Sequence, residues 1–404
     1  MTEGPKTWLI RPRDPLIVRD GKPFSSDPGA RAKSLPFPMP STLIGAVRTY
    51  YGSDNQGVFD PTCIAKVLEI ELRGPLLAEQ KGDRWFLMAP APADAILYSS
   101  VHAVLPTKIS KDTGSNLSPG LEHLFVQPDE RGNQPRGKPK PLPRYWTWKN
   151  LMLWLEGKTV YPKGLGHDGP TPEVRSHVKI EPGTQTAEEG FLFQTSGLEF
   201  QRAGAGLGQT RSLALAIQLH LPVNSKFSGA DRKAHLQPWG GERRLSRWET
   251  PDSSALEWPS EIPKHLLERI VEDKGCRLML LTPAIFQSGF MPDETMLKRG
   301  LGVEVKVRAV ACQRYQVVSG WDFAKNLPKP TRRLTPAGSV YFLELKGNEE
   351  QIRAWARAIW MHPVSDLIPN PPTGICKEQD RRDGFGLAVL GVWKPLEHSE
   401  EAAP

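Results

Sequence analysis

Proline supplies 39 of the 404 residues, roughly twice its usual ~5% share. Each proline fixes φ and removes a backbone donor, so helix interiors and central strands tolerate few of them. That density steers the chain away from a helical bundle and toward strands joined by long, stiff loops. The apolar fraction of 39% and charged fraction of 24% are those of a folded chain rather than a disordered one. At this length two or three domains are expected, each with room for a full core.

The strand signals run the length of the sequence. TWLIRPRDPLIVRDG opens with an apolar run in which Pro12 and Pro15 mark an edge or a bulge. Ser41 is expected to cap a helix over LIGAVRTYY, with Leu43, Val47 and Tyr50 on one face. VLEIELRGPLL and RWFLMA read as paired strands, GFLFQTSGLEF as a hairpin, and RSLALAIQLHLP as a strand alternating Leu213, Leu215, Ile217 and Leu219. Residues 110–145 are polar, proline-rich and aperiodic, a long surface loop. PWGGERRLSRWETPDSSALEWPSE is irregular and is expected to include the domain junction. Beyond it, RLMLLTPAIF, GVEVKVRAVAC, QVVSG and SVYFLEL read as strands, and NEEQIRAWARAIWMH as a helix burying Ile352, Trp355, Ala356 and Ile359. GFGLAVLGVW closes as a strand. Strands interrupted by single helices predict an α+β fold of two ferredoxin-like units. The division is placed at 1–225 and 226–404, with a long loop insertion near 110–170.

Charge is unevenly spread. The chain nets +7, and the block from Lys298 to Arg333 holds nine basic and two acidic residues, also +7. A concentrated basic block is a footprint for phosphate backbones or acidic membranes, unless it is simply a solvated surface. Cys63, Cys276, Cys312 and Cys376 are isolated, with no pairing that suggests zinc or a disulfide framework. No metal site and no cofactor are expected. MTEGPKTWLI has no apolar core for a signal peptide, and no apolar run is long enough to span a bilayer. A cytoplasmic protein without membrane contact is the expectation.

Two glycine-hinged basic turns invite a cofactor reading. Gly204-Ala-Gly206-Leu-Gly208 with Arg211, and Gly384-Phe-Gly386 with Arg381 and Arg382, each precede a strand. A dinucleotide fingerprint needs a helix there, so the Rossmann reading fails, and no GxxxxGK[ST] loop is present. Such turns either let backbone and guanidinium approach phosphate or are ordinary tight turns before buried strands. In GWDFAKNLPKPTRRLTPAGSVYFLEL, Lys325, Lys329, Arg332 and Arg333 alternate with prolines that hold the chain extended. Trp321, Phe323 and Tyr341 are then either stacking platforms for bases or core. EVRSHVKI places Arg175, His177 and Lys179 on one strand face, where backbone binding explains them as well as acid catalysis does. In GGERRLSRW, Arg243, Arg244 and Arg247 suit a phosphate or a protein, with Glu242 able to pair with one of them. No GGDD-type metal motif occurs.

Taken in order, RPRDPLIVRDGKPF, FPMPSTLIGAVRT, LRGPLL with PAPAD, EVRSHVKI, AEEGFLFQTSGLEF, PWGGERRL, the GWD…PAGSVYF block and GFGLAVLGVW resemble one family. It is that of the third subunit of the type III-B (Cmr) CRISPR effector complex, in the RAMP superfamily. The resemblance runs from about residue 11 to 393, and residues 110–170 lie outside it. It implies two ferredoxin-like (RRM-like) domains and a C-terminal glycine-rich loop, which falls on Gly384, Gly386 and Gly391. It also implies binding of the repeat-derived 5′ tag of crRNA, and contact with the large cyclase/polymerase-like subunit and a backbone subunit. Target RNA is then met indirectly, and cutting belongs to other subunits. From charge and placement, the residues expected on RNA are Arg13, Arg19, Lys33, Arg175, His177, Lys179, Arg211, Lys329, Arg332, Arg333, Arg381, Arg382, Gly384 and Gly386. The alternatives are a metal-independent crRNA-processing endonuclease using His177, and a protein scaffold whose basic surface meets an acidic partner.

Overall fold

A computed structural model describes residues 4–19, 31–32, 34–107, 120–203, 210–222, 234–252, 254–322 and 327–396. The N-terminal half begins with β1 (Lys6–Pro12), α1 (Pro40–Tyr51), β2 (Glu71–Lys81) and β3 (Arg84–Pro90). There follow β4 (Tyr145–Thr147), α2 (Trp148–Leu155), β5 (Gly166–His167), β6 (Thr171–Ile180) and β7 (Ala187–Glu199). It ends with β8 (Thr210–His220), β9 (Ala234–Pro238) and β10 (Leu245–Glu249). The C-terminal half contains α3 (Lys264–Asp273), β11 (Gly275–Leu280), β12 (Glu304–Ala311), β13 (Gln316–Val318), β14 (Arg332–Leu334) and β15 (Val340–Lys346). Then come α4 (Glu349–Ile359), β16 (His362–Pro363), α5 (Gln379–Arg382) and β17 (Leu387–Val392).

One antiparallel sheet runs β9-β10-β1-β8-β2-β3-β4-β5, and a second runs β12-β15-β11-β17-β16. Within each half the central order repeats: β10-β1-β8-β2 and β17-β11-β15-β12 both run fourth, first, third, second along the chain. The chain is thus α+β with predominantly antiparallel sheets. The two glycine-hinged turns do not occupy equivalent places in this repeat. Gly204–Gly208 lies outside the described residues and precedes the third strand of its half, whereas Gly384–Gly386 precedes the fourth.

Three local expectations change. The N-terminal sheet extends beyond residue 225, because β10 pairs with β1 (Ile10 with Trp248) and β9 pairs with β10. GFLFQTSGLEF is not a hairpin but part of the single strand β7, paired along its length with β6. Gly197 is there because Pro15 packs on it: a Cβ would stand 2.8 Å from Pro15 Cβ. Finally, α1 starts at Pro40 with Met39 at its N-cap and no side-chain cap; proline suits the first helical position, where its missing N–H is no loss. At α4 the capping is complete, with Asn348 and Gln351 forming a reciprocal box.

The N-terminal sheet is covered on both faces, which the alternation in β8 reflects. Leu213, Leu215, Ile217 and Leu219 join Trp8, Ile10, Leu43 and Val47 in the core beneath α1. Ala214 and Ala216, with Leu9 and Ala78, face the other way into a core shared with β11, β15, α4 and β17. The small alanines let the second half approach closely. At that seam Arg277 of β11 is buried and paired with buried Asp94 at 2.8 Å. Asp94 also accepts the Trp154 indole N–H at 2.9 Å, and Arg277 donates to the Val392 carbonyl at 3.0 Å. A buried pair of this kind holds only because every remaining polar atom finds a partner.

Candidate nucleic-acid interface

The predicted basic residues separate into three groups. The first lies at the end of β1. Arg11, exposed Arg13 and exposed Arg247 line a groove of about 500 Å³ with Phe200, Gln201 and His235. Glu249 pairs with Arg11 at 3.2 Å and with Arg247 at 2.8 Å. Three guanidiniums there meet one carboxylate, and Arg13 has no ion-pair partner among the described residues. Arg211 belongs to β8 beside the groove, its side chain outside the description. Arg243 is exposed nearby, while Arg244 pairs with Glu242 at 2.7 Å.

The chain from Arg13 leads to the second group. Leu16 exchanges backbone hydrogen bonds with Leu198 at the root of the β6–β7 ribbon. Ser34 ties Val18 to the same ribbon by donating to the Ser196 carbonyl, and Arg19 bridges to Ser34 through the backbone. On the ribbon, Arg175 and His177 occupy alternate positions and Lys179 falls at a register shift between Val178 and Ile180, and each is engaged. Arg175 pairs with Glu173 and Lys179 with Glu188 at 2.7 Å. His177 Nε2 meets Thr195 Oγ1 at 2.9 Å, and its ring stacks on Phe193 with centroids 5.2 Å apart.

The third group is the β13–β14 hairpin. Val318 and Leu334 pack with Met39 and Phe385 in a small core that reaches Leu35, so the hairpin is held against the segment leading into α1. Lys329 and Arg333 are exposed, and the Arg333 guanidinium lies 5.1 Å from the Tyr315 ring centroid. Tyr315 itself is 59% exposed. Among the described residues neither Lys329 nor Arg333 has a carboxylate partner. An exposed ring beside an arginine is a platform on which a planar base can stack. Sequence reasoning missed Tyr315, although it directly follows Arg314 within the basic block. Tyr341, by contrast, is core: it is fully buried and donates to the Phe290 carbonyl at 2.6 Å. Trp321's side chain, and Lys33, Phe323 and Lys325, lie outside the described residues.

The glycine turn with Gly384, Gly386 and Arg381 packs against the same chain, and Arg332 is paired with it. Gly384 (φ +93°) and Gly386 (φ +84°) are buried. A Cβ on Gly384 would lie 2.6 Å from Leu72 Cδ2 and 2.8 Å from the Gly74 carbonyl; one on Gly386 would lie 2.7 Å from the Ser365 nitrogen. The close approach these glycines permit is therefore made to the same chain. Asp383 pairs with Arg48 of α1 at 2.7 Å, Gln379 donates to the Leu68 carbonyl, and Arg381 donates to the Ser365 carbonyl at 2.6 Å. Arg332 is bound to Asp380 at 2.6 Å, and burial raises the Asp380 carboxyl pKa despite that cation. Arg382 has a buried Nε without a hydrogen bond among the described residues. The turn stitches the two halves together.

No group of three metal-ligating side chains comes together among the described residues, and none of their helices is long and apolar enough to cross a membrane.

Fold and surface define an α+β protein whose two largest sheets are antiparallel, joined by a buried seam, with exposed cations at Arg13, Lys329 and Arg333. The profile of the CRISPR-associated protein (Cas_Cmr3) family matches residues 8–393. The chain belongs to that family. It is similar to a chain of the type III-B Cmr-beta complex bound to cognate target RNA and AMPPnP, at 14% identity and TM-score 0.47, covering 88% of each chain. A second Cmr-beta structure bound to cognate target RNA matches at 15% identity and TM-score 0.46, covering 83% of this chain and 86% of the other. A chain of the Csm3–Csm4 subcomplex of the type III-A interference complex matches at 10% identity and TM-score 0.32, covering 96% and 100%. No curated protein matches significantly.

Proposed function

We propose that this chain is a non-catalytic RNA-binding subunit of a type III-B (Cmr) CRISPR effector complex. In this reading it holds the repeat-derived 5′ tag of the crRNA. It docks the large cyclase/polymerase-like subunit and a backbone subunit, and meets target RNA only through the guide. Its halves are read as ferredoxin-like (RRM-like) units of the RAMP superfamily. The observation that carries the proposal is that Arg13, Lys329 and Arg333 are exposed without carboxylate partners among the described residues, whereas Arg11, Arg247 and Arg332 beside them are paired. Unpaired surface guanidiniums and ammoniums are available to phosphates and release counterions on binding. Tyr315 beside Arg333 adds a face for an unpaired base. Engagement of His177 by Thr195 and Phe193 suits a structural role for that ring rather than proton transfer.

The test is an assembled complex loaded with a guide carrying a photoreactive nucleotide in its tag. Crosslinks to peptides containing Arg13, Lys329 or Arg333 are expected. Crosslinks to the other subunits alone would leave this chain a scaffold. Incubated with repeat RNA in EDTA, the purified protein is expected to leave the RNA intact. Cleavage that disappears in His177→Ala would instead make it a processing nuclease.

A further inference from the structure

Beneath the glycine turn, three arginines converge on one short segment. Arg73 of β2 approaches His362 Nε2 at 2.8 Å through Nη2 and Gln218 Oε1 at 3.4 Å through Nη1. Arg299 donates to the Pro363 carbonyl and Arg381 to the Ser365 carbonyl. Residues 362, 363 and 365 thus anchor three guanidiniums drawn from both halves of the chain. The His362 Nδ1 contact with the Trp360 carbonyl, at 2.8 Å, makes that nitrogen the donor. A neutral ring then offers Nε2 to Arg73, so His362 adds no negative charge.

Counter-charge is scarce. Among the described residues none of the three arginines reaches a carboxylate at salt-bridge distance. Glu71 and Glu378 are exposed at the rim, and Asp366 is occupied by the backbone N–H groups of Gln287 and Asp293. Like charges gathered out of water repel one another strongly unless an anion joins them. Burial, with Arg381 and Arg73 close by, lowers Arg299 to about 10. Burial and Arg73 likewise lower His362 to about 4, and His220, beside Gln218, to about 4.

We infer that the seam around Arg73, Arg299 and Arg381 is a binding site for a single phosphate-type oxyanion that bridges the two halves. Each guanidinium spends one or two N–H groups on the protein and keeps others for a ligand. A tetrahedral anion with several acceptor oxygens can serve three such forks arriving from different elements. A carboxylate, with two oxygens in one plane, matches a single fork. The site is separate from the exposed cations at Arg13, Lys329 and Arg333 and does not rest on their binding RNA. Its anion is either a terminal phosphate monoester or free phosphate, which share this chemistry.

The test uses the whole protein and inorganic phosphate. At matched ionic strength, phosphate is expected to raise the unfolding midpoint above that in chloride, by on the order of 2 °C at a tenfold excess over Kd. It should also broaden the ³¹P resonance of the added phosphate. Both effects should be lost in Arg299→Gln and Arg73→Gln; the ³¹P linewidth reads binding even if one variant is unstable. Displacement of phosphate by a short 5′-phosphorylated single-stranded RNA, but not by its unphosphorylated form, would assign the site to a phosphate monoester, and retention of phosphate would assign it to the free ion. An equal rise in chloride, an equal rise in acetate, or unaltered phosphate response in both variants would overturn the inference. Because no RNA is needed, failure here leaves the proposed RNA interface standing.

Discussion

Arg381 and Arg333 both belong to basic, loop-rich stretches of the second half, but their surroundings differ. Arg381 is half-buried and bonded to Ser365, in a turn whose Gly384 presses on β2 of the other half. Arg333 is exposed over Tyr315 with no carboxylate partner among the described residues. A charge in the sequence is not yet a charge available to a ligand. Availability depends on whether the fold supplies carbonyls and carboxylates first. The seam does so for Arg332 and Arg277 and only in part for Arg381, and the β13–β14 hairpin leaves Lys329 and Arg333 without such partners among the described residues.

The sharpest way to break this contrast is at its most buried member. Arg277→Ala strands Asp94 without its cation and should cost about 3–5 kcal/mol in urea unfolding. A loss near zero would mean the seam is not where the halves are held. Gly384→Ala comes next. With φ at +93° and the Gly74 carbonyl 2.8 Å from the new Cβ, about 2–4 kcal/mol is expected from strain and overpacking together. If RNA binding fell while the unfolding midpoint stayed put, the turn would be a ligand loop after all.

Acidification probes the same seam more gently. Burial lowers His220 and His362 to about 4, so the unfolded chain takes up protons first as pH falls below about 6.5. Their contribution is therefore full above pH 6.5 and lost as pH drops toward 4. Both rings are partly solvated, so the loss is on the order of 1–2 kcal/mol in total. His362→Gln should flatten the slope of stability against pH between those values; an unchanged slope would remove the histidines from the account.

Much of the framework was legible because it is local. Period-2 alternation marked β8, apolar runs marked the paired strands β2 and β3, and the apolar stripe marked α4, because burial leaves its pattern in the sequence. The seam was not legible. Gly384 needs its φ because of Leu72 and Gly74, some three hundred residues away, and Gly197 answers to Pro15. Nothing near either glycine records those partners. β9 and β10 were overlooked for a different reason: each is only five residues long, β9 is an exposed edge strand, and β10 buries just Ser246 and Trp248, so the apolar pattern is weak. The basic block was visible as charge, yet which of its members stay unpaired depends on Asp380 and Phe385, which come later in the chain.

The outward members should be nearly silent in stability: replacing Arg13, Lys329 and Arg333 together by Ala should move the unfolding free energy by no more than about 0.5 kcal/mol per site. Their effect belongs to the salt dependence of guide-RNA binding. Measured on the same protein, the slope of log K against log[salt] should lose about 2 in magnitude, roughly 0.7 for each phosphate contact removed. A triple variant that keeps the parent slope would contradict the claim that these exposed cations, rather than those of the seam, hold RNA.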